Sequence, residues 1–179
     1  MKKQAILGVF GALLIVLIYV CIRFEITYAI SAVIALIHDL LVTCAILVIV
    51  HCFVKSIQFD FQTIGALMTV LGYSLNNTII IFDRIREKEV ANTESFDEIV
   101  RKSINDTFSR TMMTTITTLV VILSLLLFGG NSLLGFSLTM TSGVLLGALS
   151  SIYLAPALLI VIRRSLFTSK KKNLFQLRK

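Results

Sequence analysis

The sequence lacks the residue patterns of most enzymes and metal proteins. It contains no Gly-rich phosphate loop, no metal-ligand cluster and no catalytic triad pattern. Its three cysteines, Cys21, Cys44 and Cys52, are odd in number, lie within apolar runs and show neither CxxC nor zinc-like spacing. We therefore expect no enzymatic activity, no cofactor or metal site, no nucleic-acid partner and no disulfide framework.

Charge is also scarce, tryptophan is absent and proline occurs once. Only 15% of the 179 residues are charged, whereas 56% are hydrophobic, which exceeds the usual share in soluble domains. The apolar residues form long blocks rather than scattered positions. The composition therefore predicts a membrane bundle and leaves no room for a substantial soluble domain.

Long apolar runs predict an all-α membrane protein with about five transmembrane helices within residues 1–165. The first run is free of charge and covers roughly 28 Å at about 1.5 Å per residue, enough to span a bilayer core. It is too long for the apolar core of a signal peptide, and no A-x-A cleavage pattern follows it. The predicted spans are 4–22, 26–54, 61–82, 111–128 and 133–162, and a basic tail follows at 166–179.

A polar segment, 83–110, separates the third and fourth spans. Ser95-Phe96-Asp97-Glu98 has the S-x-x-E form of a helix capping box. Apolar residues then recur at helical spacing, which predicts an amphipathic helix over 95–108. This helix lies on the membrane surface, packs under the bundle or presents a face to a partner.

The distribution of basic residues predicts the orientation in the membrane. With the tail in the cytoplasm, fourteen Lys and Arg residues lie inside and three lie outside. The amino terminus then lies on the outer face, and segment 83–110 lies in the cytoplasm. Lys2 and Lys3 would have to cross the membrane, which is reasonable if the sequence is the back portion of a longer chain.

Two ionisable residues, His38 and Asp39, lie near the middle of the second span. A carboxylate at that depth costs on the order of 3 kcal/mol unless it is protonated, paired or hydrated. Neighbouring helix residues point about 100° apart, so the two side chains do not share one direction. One interpretation is a hydrogen-bonding node between helices, and the other is a titratable step in a proton path.

The third span carries amides and a small residue where lipid-facing residues would be apolar. Gly72 and Asn76 share one face of the helix with Asp83, and Asn77 lies at the edge of that face. This pattern is typical of close helix packing and interhelical hydrogen bonds. At the cytoplasmic boundary, Asp83, Arg84 and Arg86 form either a solvated cluster that fixes topology or a docking site for a partner.

The last two spans add a cation and a packing motif. Arg110, at the start of the fourth span, extends to the headgroups or reaches into the bundle toward Asn77 and Asp83. On the fifth span, Gly143 and Gly147 form a GxxxG motif, which permits close approach of two helices but is only weakly specific.

Three segments together resemble SecF, the accessory membrane subunit of the bacterial protein-secretion system. They are RFEITYAISAVIALIHDLLVT, GYSLNNTIIIFDRIREK and SINDTFSRTMMTTITTLVVILSLLLFGG, and the resemblance extends over all five spans. It covers the carboxy-terminal five-helix portion of SecF or of a SecDF fusion. It implies half of an RND-like membrane core, with the other half supplied by SecD.

The resemblance also implies a function, partners and site residues. Family members assist export through the SecYEG channel of the bacterial inner membrane after the SecA motor, using the proton-motive force. Expected partners are SecD, separate or fused, SecYEG, YajC, the translocating polypeptide and the bilayer. By position, His38 and Asp39 match the intramembrane pair of the family, Asp83 and Arg84 match its boundary pair, and Arg110 matches its proton-route arginine.

One position departs from the pattern of the family. Asn77 stands where family members carry an aspartate of the proton route, and an amide cannot take up or release a proton at physiological pH. The resemblance makes a proton-coupled translocase subunit the leading function. Because of Asn77, a passive scaffold of the channel is an alternative. A small-molecule or ion exporter of the RND type is the third class, which the small number of acidic residues in the spans disfavours.

Overall fold

The computed structural model describes the backbone of residues 2–53, 60–91 and 95–176. Side chains are described at 7, 8, 11, 14, 15, 18–53, 60–91 and 95–165. The prediction of an all-α protein is confirmed, since these ranges contain five α-helices and no strand. The helices are α1 (Lys2–Arg23), α2 (Ile26–Phe53), α3 (Phe61–Ala91), α4 (Phe96–Phe128) and α5 (Gly130–Gln176).

Four helical segments are long and apolar enough to cross a membrane: Ile26–Phe53, Phe61–Ala91, Phe96–Phe128 and Gly130–Ser165. The shortest has 28 residues and measures about 42 Å at 1.5 Å per residue, more than the hydrocarbon core requires. α1 has 22 residues, but many of its side chains lie outside the described set. Its transmembrane span, 4–22, stays a prediction.

The main difference from the predicted boundaries concerns the polar segment 83–110. α3 continues to Ala91 and α4 begins at Phe96, so most of this segment extends the two membrane helices. No glycine or proline occurs between 83 and 128 to interrupt them. Ile99 and Val100 are buried in the core, so the amphipathic segment packs against the bundle and is continuous with the fourth span.

The capping-box residues at the start of α4 interact differently from the usual motif. Ser95 occupies the N-cap position with an extended backbone, but its side chain forms no hydrogen bond to the helix backbone. Instead, its Oγ donates to the Glu98 carboxylate at 3.1 Å. The sequence pattern therefore marks the correct helix start, although the two side chains bond to each other.

Only Gly129 separates α4 from α5, whereas the predicted spans leave residues 129–132 between them. The Gly129 amide closes α4 by donating to the Leu125 carbonyl at 2.8 Å. Gly130 has a φ of +70°, a left-handed conformation that glycine adopts without the strain of a side chain. α5 starts at this residue, so two glycines suffice to reverse the chain between two membrane helices.

α5 is the central helix of the bundle. It has 47 residues and contacts α2, α3 and α4, whereas α1 contacts only α2 and α3 within the described chain. The predicted fifth span ends at 162, but the helix continues through the basic residues to Gln176. Within the described chain, α5 therefore packs against three of the other four helices.

The interior contains two apolar clusters. The larger joins all five helices and includes Leu36, Phe82, Ile85 and Leu159, all 1% exposed or less. The smaller contains Ala66, Val70, Ile122, Met140 and Val144. Because lipid is as apolar as these side chains, their burial drives helix association less than it would in water. Close packing and interhelical polar contacts therefore matter more here.

Candidate functional site

A buried carboxylate lies between α2 and α3. Asp39 is fully buried, and its Oδ2 accepts a hydrogen bond from the Ser74 hydroxyl. Nδ1 of His38 lies 3.2 Å from Oδ1 of Asp39. The His38 side chain is 49% exposed and that of Asp39 only 1%, so adjacent residues connect the interior of the bundle to its surface.

This arrangement satisfies an acidic group that lipid alone could not solvate. A hydroxyl donates to one carboxylate oxygen, and an imidazole with its proton on Nδ1 can donate to the other. The imidazole is half-exposed and the carboxylate is buried, so the pair extends from the surface of the bundle to its interior. The geometry is thus compatible with either interpretation, a fixed node or a titratable step.

The GxxxG motif of α5 packs against the α3 residues that hold this carboxylate. A Cβ atom built on Gly143 would lie 2.4 Å from a Val70 methyl carbon, closer than atoms can approach. One built on Gly147 would lie 3.0 Å from Cβ of Ser74. Glycine at these positions lets α5 approach α3, and Gly147 packs against the residue that donates to Asp39.

Other polar atoms are buried in the same interior without hydrogen-bond partners. Asn77 is 1% exposed, and its amide nitrogen has no partner among the described residues. The hydroxyls of Thr43, Thr111 and Ser150 are likewise buried and unpaired. Leaving a donor buried and unpaired costs about 1–3 kcal/mol. Unpaired buried polar atoms are typical positions for ordered water. Together with Asp39 and Ser74, these atoms form what we call the polar seam.

The structure corrects the predicted face of α3. Asn76 and Gly72 lie on the exposed side of the helix, and no described atom lies within 4 Å of a Cβ built on Gly72. Gly72 is therefore not a close-packing position within this chain. The α3 residues that face the two glycines of α5 are Val70 and Ser74. Ser74, two positions after Gly72, points about 200° away from it on the helix.

Arg110 is exposed and does not reach the interior amide. Within the described chain no hydrogen bond or ion pair joins it to Asn77 or Asp83. It lines a groove of about 330 Å³ between α3 and α4. The groove is lined by Ile80, Asp83, Arg84, Glu87, Asp106, Thr107 and Arg110. Arg110 and Asp83 thus share one open groove, outside the polar seam.

The boundary residues predicted from sequence form ion pairs between helices. Arg23 of α1 lies 3.4 Å from Asp83 of α3, and Arg86 donates to the backbone carbonyl of Arg23 at 3.3 Å. Arg84 pairs with Asp106 of α4 at 2.9 Å. The cluster therefore connects α1, α3 and α4, in addition to any role in topology.

A second set of charged contacts was not anticipated from the sequence. Glu89 of α3 accepts hydrogen bonds from the Tyr28 hydroxyl at 2.9 Å and from Arg163 of α5. Arg163 also stacks over the Phe96 ring, 3.9 Å from its centroid, and Arg164 pairs with Asp97. Glu89 lies in the charged end of α3, beyond its apolar part. The Arg163 guanidinium holds the pKa of the Glu89 carboxyl below its usual range.

These features define a multi-pass helical membrane protein with a polar seam inside the bundle and interhelical ion pairs at one end. Comparison with known proteins gives the family. The chain belongs to the family described as protein export membrane protein SecD/SecF, C-terminal, whose profile matches residues 1–165. The resemblance to SecF is thereby confirmed.

Two relatives illustrate the match. The protein translocase subunit SecF of Rhodothermus marinus is 42% identical over 165 residues, which cover 91% of this chain and 54% of that protein. The protein of the same name in Helicobacter pylori is 37% identical over 163 residues, covering 90% and 49%. The chain therefore spans about half the length of these relatives.

Solved structures show the same fold. A crystal structure of SecDF in a super-membrane-facing form matches with a TM-score of 0.84 at 34% identity, covering 96% of this chain and 23% of that one. SecDF of Thermus thermophilus, described as a translocon-associated membrane protein, matches with a TM-score of 0.84 at 36% identity, covering 91% and 22%. The five helices thus have the fold of part of the SecDF membrane domain.

Proposed function

We propose that this chain is the membrane-embedded part of an accessory subunit of the Sec protein translocase. It assists protein export across the cytoplasmic membrane and catalyses no chemical reaction itself. The observation that carries the proposal is the buried Asp39 with its Ser74 and His38 contacts, in a chain whose relatives are named translocase subunits. A buried acid with a route to the surface suits a subunit that couples proton movement to mechanical work.

SecD is the proposed partner in the membrane. Thr69, Gly72 and Asn76 form an exposed stripe along α3, and an amide exposed to hydrocarbon is unfavourable. Small and polar residues are those that allow a second helix to pack closely and form hydrogen bonds. A helix of SecD, separate or fused, covers this stripe, and SecYEG and YajC are further partners in the assembled translocase.

Proton coupling is assigned to the second helix rather than the third. Asn77 cannot exchange a proton, and Arg110 lies in the open groove. His38 and Asp39 are the adjacent ionisable pair of the seam, so they would take up the proton on one side of the cycle and release it on the other. A charge that crosses the membrane gains about 2.3 kcal/mol per 100 mV, which is useful work only when such a relay exists.

A passive scaffold is the second candidate. The observation that favours it is the buried, non-titratable Asn77 with its unpaired amide nitrogen. In that case the chain stabilises the translocase without using the gradient, and Asp39 is only a hydrogen-bonding node. The two candidates share partners and fold but differ in their response to an imposed proton gradient.

We propose an orientation with the amino terminus on the outer face and the carboxy terminus in the cytoplasm of a bacterial inner membrane. The charged ends of α3 and α4 then lie in the cytoplasm with most of the basic residues. This follows the positive-inside rule. A single-cysteine accessibility scan with a membrane-impermeant reagent tests it.

Translocation into inverted membrane vesicles tests the function. The chain is produced together with SecD in a strain that lacks its own SecD and SecF, and protease-protected substrate is measured with and without an imposed gradient. Asp39→Asn should remove the gradient-dependent part of translocation. The matched control is Asp60→Asn, because Asp60 caps the start of α3 through Thr63 at 3.0 Å and asparagine caps equally well.

Each outcome separates the candidates. Equal translocation by wild type and Asp39→Asn under the gradient, with both above vesicles that lack the chain, would establish the scaffold instead. Failure of the chain to copurify with SecD and channel subunits would exclude both and favour an exporter.

A further inference from the structure

Three of the buried polar atoms without hydrogen-bond partners among the described residues lie on three neighbouring helices. They are the amide nitrogen of Asn77 on α3 and the hydroxyls of Thr111 on α4 and Ser150 on α5. Asn77 and Thr111 are each 1% exposed, and Ser150 is 7% exposed. The contacts between these helices place the three atoms at one depth in the bundle.

α3 and α5 run in the same direction and keep one register. Gly143 packs against Val70, and the two helices are still in contact at the ion pair of Glu89, farther along both. Asn77 is seven residues after Val70, and Ser150 is seven residues after Gly143. Seven residues are close to two whole turns, so Asn77 and Ser150 lie at the same depth on the facing sides of the two helices.

α3 and α4 run in opposite directions. The Tyr73 hydroxyl donates to Oγ1 of Thr115 at 3.1 Å, and Oγ of Ser103 donates at 3.4 Å to the α3 carbonyl seven residues after Asn77. Asn77 is four residues after Tyr73, and Thr111 is four residues before Thr115. Because the directions are opposite, these steps lead to the same depth, and Asn77 faces Thr111 between two observed contacts.

The Thr111 hydroxyl also differs from its neighbours on α4. Thr107 and Thr115, one turn away on either side, each donate to the carbonyl four residues earlier, at 2.9 Å and 2.7 Å. This is the usual bond of a threonine inside a helix. Thr111 forms no such bond within the described chain, so its hydroxyl is available to a ligand in the interior.

The chemistry of the three groups defines the ligand. The amide nitrogen of Asn77 can only donate, whereas the two hydroxyls can donate or accept. A donor facing the site disfavours a metal cation and requires an acceptor atom. A water molecule can accept from the amide and donate to both hydroxyl oxygens, and three hydrogen bonds are typical of buried water.

We propose that Asn77, Thr111 and Ser150 bind one ordered water molecule, which joins α3, α4 and α5. The water satisfies three polar atoms that the side chains do not satisfy by bonding to one another. It also gives the non-titratable Asn77 a hydrogen-bonding role. The site requires only the packing of the three helices and is independent of the role in export.

Thr111→Val tests the site by the sign of its effect. Valine has the shape of threonine without the hydroxyl, so replacing a hydroxyl that binds nothing would leave stability unchanged or raise it. With a bridging water, the substitution removes one of its three bonds. The equilibrium constant for unfolding, measured in mild detergent by titration with a denaturing detergent, should rise about threefold to twentyfold. A variant as stable as wild type, or more stable, would overturn the proposal.

A double-mutant cycle tests whether Thr111 and Ser150 share one ligand. The combined effect of Thr111→Val and Ser150→Ala should depart at least twofold from the product of the single effects, because both act on the same water. Thr43→Val is the matched control for Ser150→Ala. Thr43 is another buried, unpaired hydroxyl, but the contact of Asp39 with Ser74 places it about 10 Å along the bundle from Asn77.

The combination of Thr111→Val with Thr43→Val should equal the product of the single effects within about twofold. Coupling to Ser150→Ala that is no larger than coupling to Thr43→Val would overturn the shared site. Nuclear magnetic resonance of the chain labelled with ¹⁵N at asparagine detects the water itself. The Asn77 side-chain amide should show a nuclear Overhauser contact to water that is lost in Thr111→Val. No such contact in wild type would also overturn the proposal.

Discussion

Gly147 of α5 lies directly against Ser74 of α3, so that a Cβ atom on Gly147 would be 3.3 Å from Oγ of Ser74. That same Oγ donates a hydrogen bond to the buried carboxylate of Asp39 on α2. The position of α5 therefore determines how Ser74 reaches Asp39. Helix packing and the interior polar contact are parts of one three-helix arrangement.

Replacing Gly143 by alanine should destabilise the bundle. The new Cβ would lie 2.4 Å and 2.5 Å from the two Val70 methyl carbons, and Val70 is a β-branched residue with little freedom to move aside. Overpacking of this kind costs about 1–3 kcal/mol. The free energy of unfolding, from titration of the purified chain in mild detergent with a denaturing detergent, measures the loss.

Gly72→Ala is the matched control for this substitution. No described atom lies within 4 Å of a Cβ at that position, and alanine favours a helix over glycine by up to about 1 kcal/mol. The isolated chain should therefore be as stable as wild type or slightly more stable. Equal stability of the two alanine variants would show that α5 does not pack on α3 as described.

Removing the Ser74 hydroxyl should destabilise the seam. Ser74→Ala leaves the buried Asp39 carboxyl group with one partner fewer, and a buried polar group without its partner costs about 1–3 kcal/mol. Ser124→Ala serves as the control, because Ser124 is exposed and, among the described residues, bonds only the Val120 carbonyl of its own helix. A loss of stability no larger than that of the control would contradict the proposed role of Ser74.

The helices could be predicted from the sequence because their signals are local. Long apolar runs predicted a bundle of about five helices, and Ser95 marked the start of α4. The extension of α3 to Ala91 was not predicted, because the polar residues after 82 were placed outside the third span. The helix predicted over 95–108 is the first part of α4, which continues without a break into the fourth span. The absence of glycine and proline from 83–128 was the better guide.

The interior face of each helix could not be predicted in the same way. A membrane helix is apolar toward lipid and toward its neighbours, so periodicity does not reveal which side is buried. Asn76 and Asn77 are adjacent and chemically identical, yet only Asn77 lies inside. Contacts between distant parts of the chain, such as Arg163 with Glu89, depend on how helices cross and have no local signal.

The contact between Glu89 and Arg163 should make stability depend on pH. The folded-state pKa of the Glu89 carboxyl is lowered, and the hydrogen bond from Arg163 is the largest cause. A group of this kind stabilises the fold above its unfolded pKa, and the contribution is lost as pH falls through the folded pKa. The free energy of unfolding of wild type should exceed that of Glu89→Gln by about 1 kcal/mol at neutral pH. The difference should shrink at pH values below the ordinary carboxyl range.

Thermal unfolding of both proteins across a pH series measures this difference. Glu87→Gln is the control, because the Glu87 side chain is 67% exposed and pairs with Arg84 on its own helix. Exposed pairs contribute little, so this variant should follow wild type at every pH. A difference between wild type and Glu89→Gln that is constant over the whole series would argue against an ionised Glu89 as the stabilising group.

Asn77→Asp should restore a titratable group to the seam and raise gradient-dependent translocation. The position is buried and its amide nitrogen has no partner, so a carboxyl of the same size should leave the bundle assembled. The gain should be about fiftyfold at most, since a charge that crosses the membrane gains about 2.3 kcal/mol per 100 mV. Asn76→Asp makes the same chemical change on the exposed side of α3 and should give no gain in the vesicle assay. An identical rate for wild type and Asn77→Asp under an imposed gradient, with both proteins copurifying with SecD, would mean that position 77 takes no part in proton transfer.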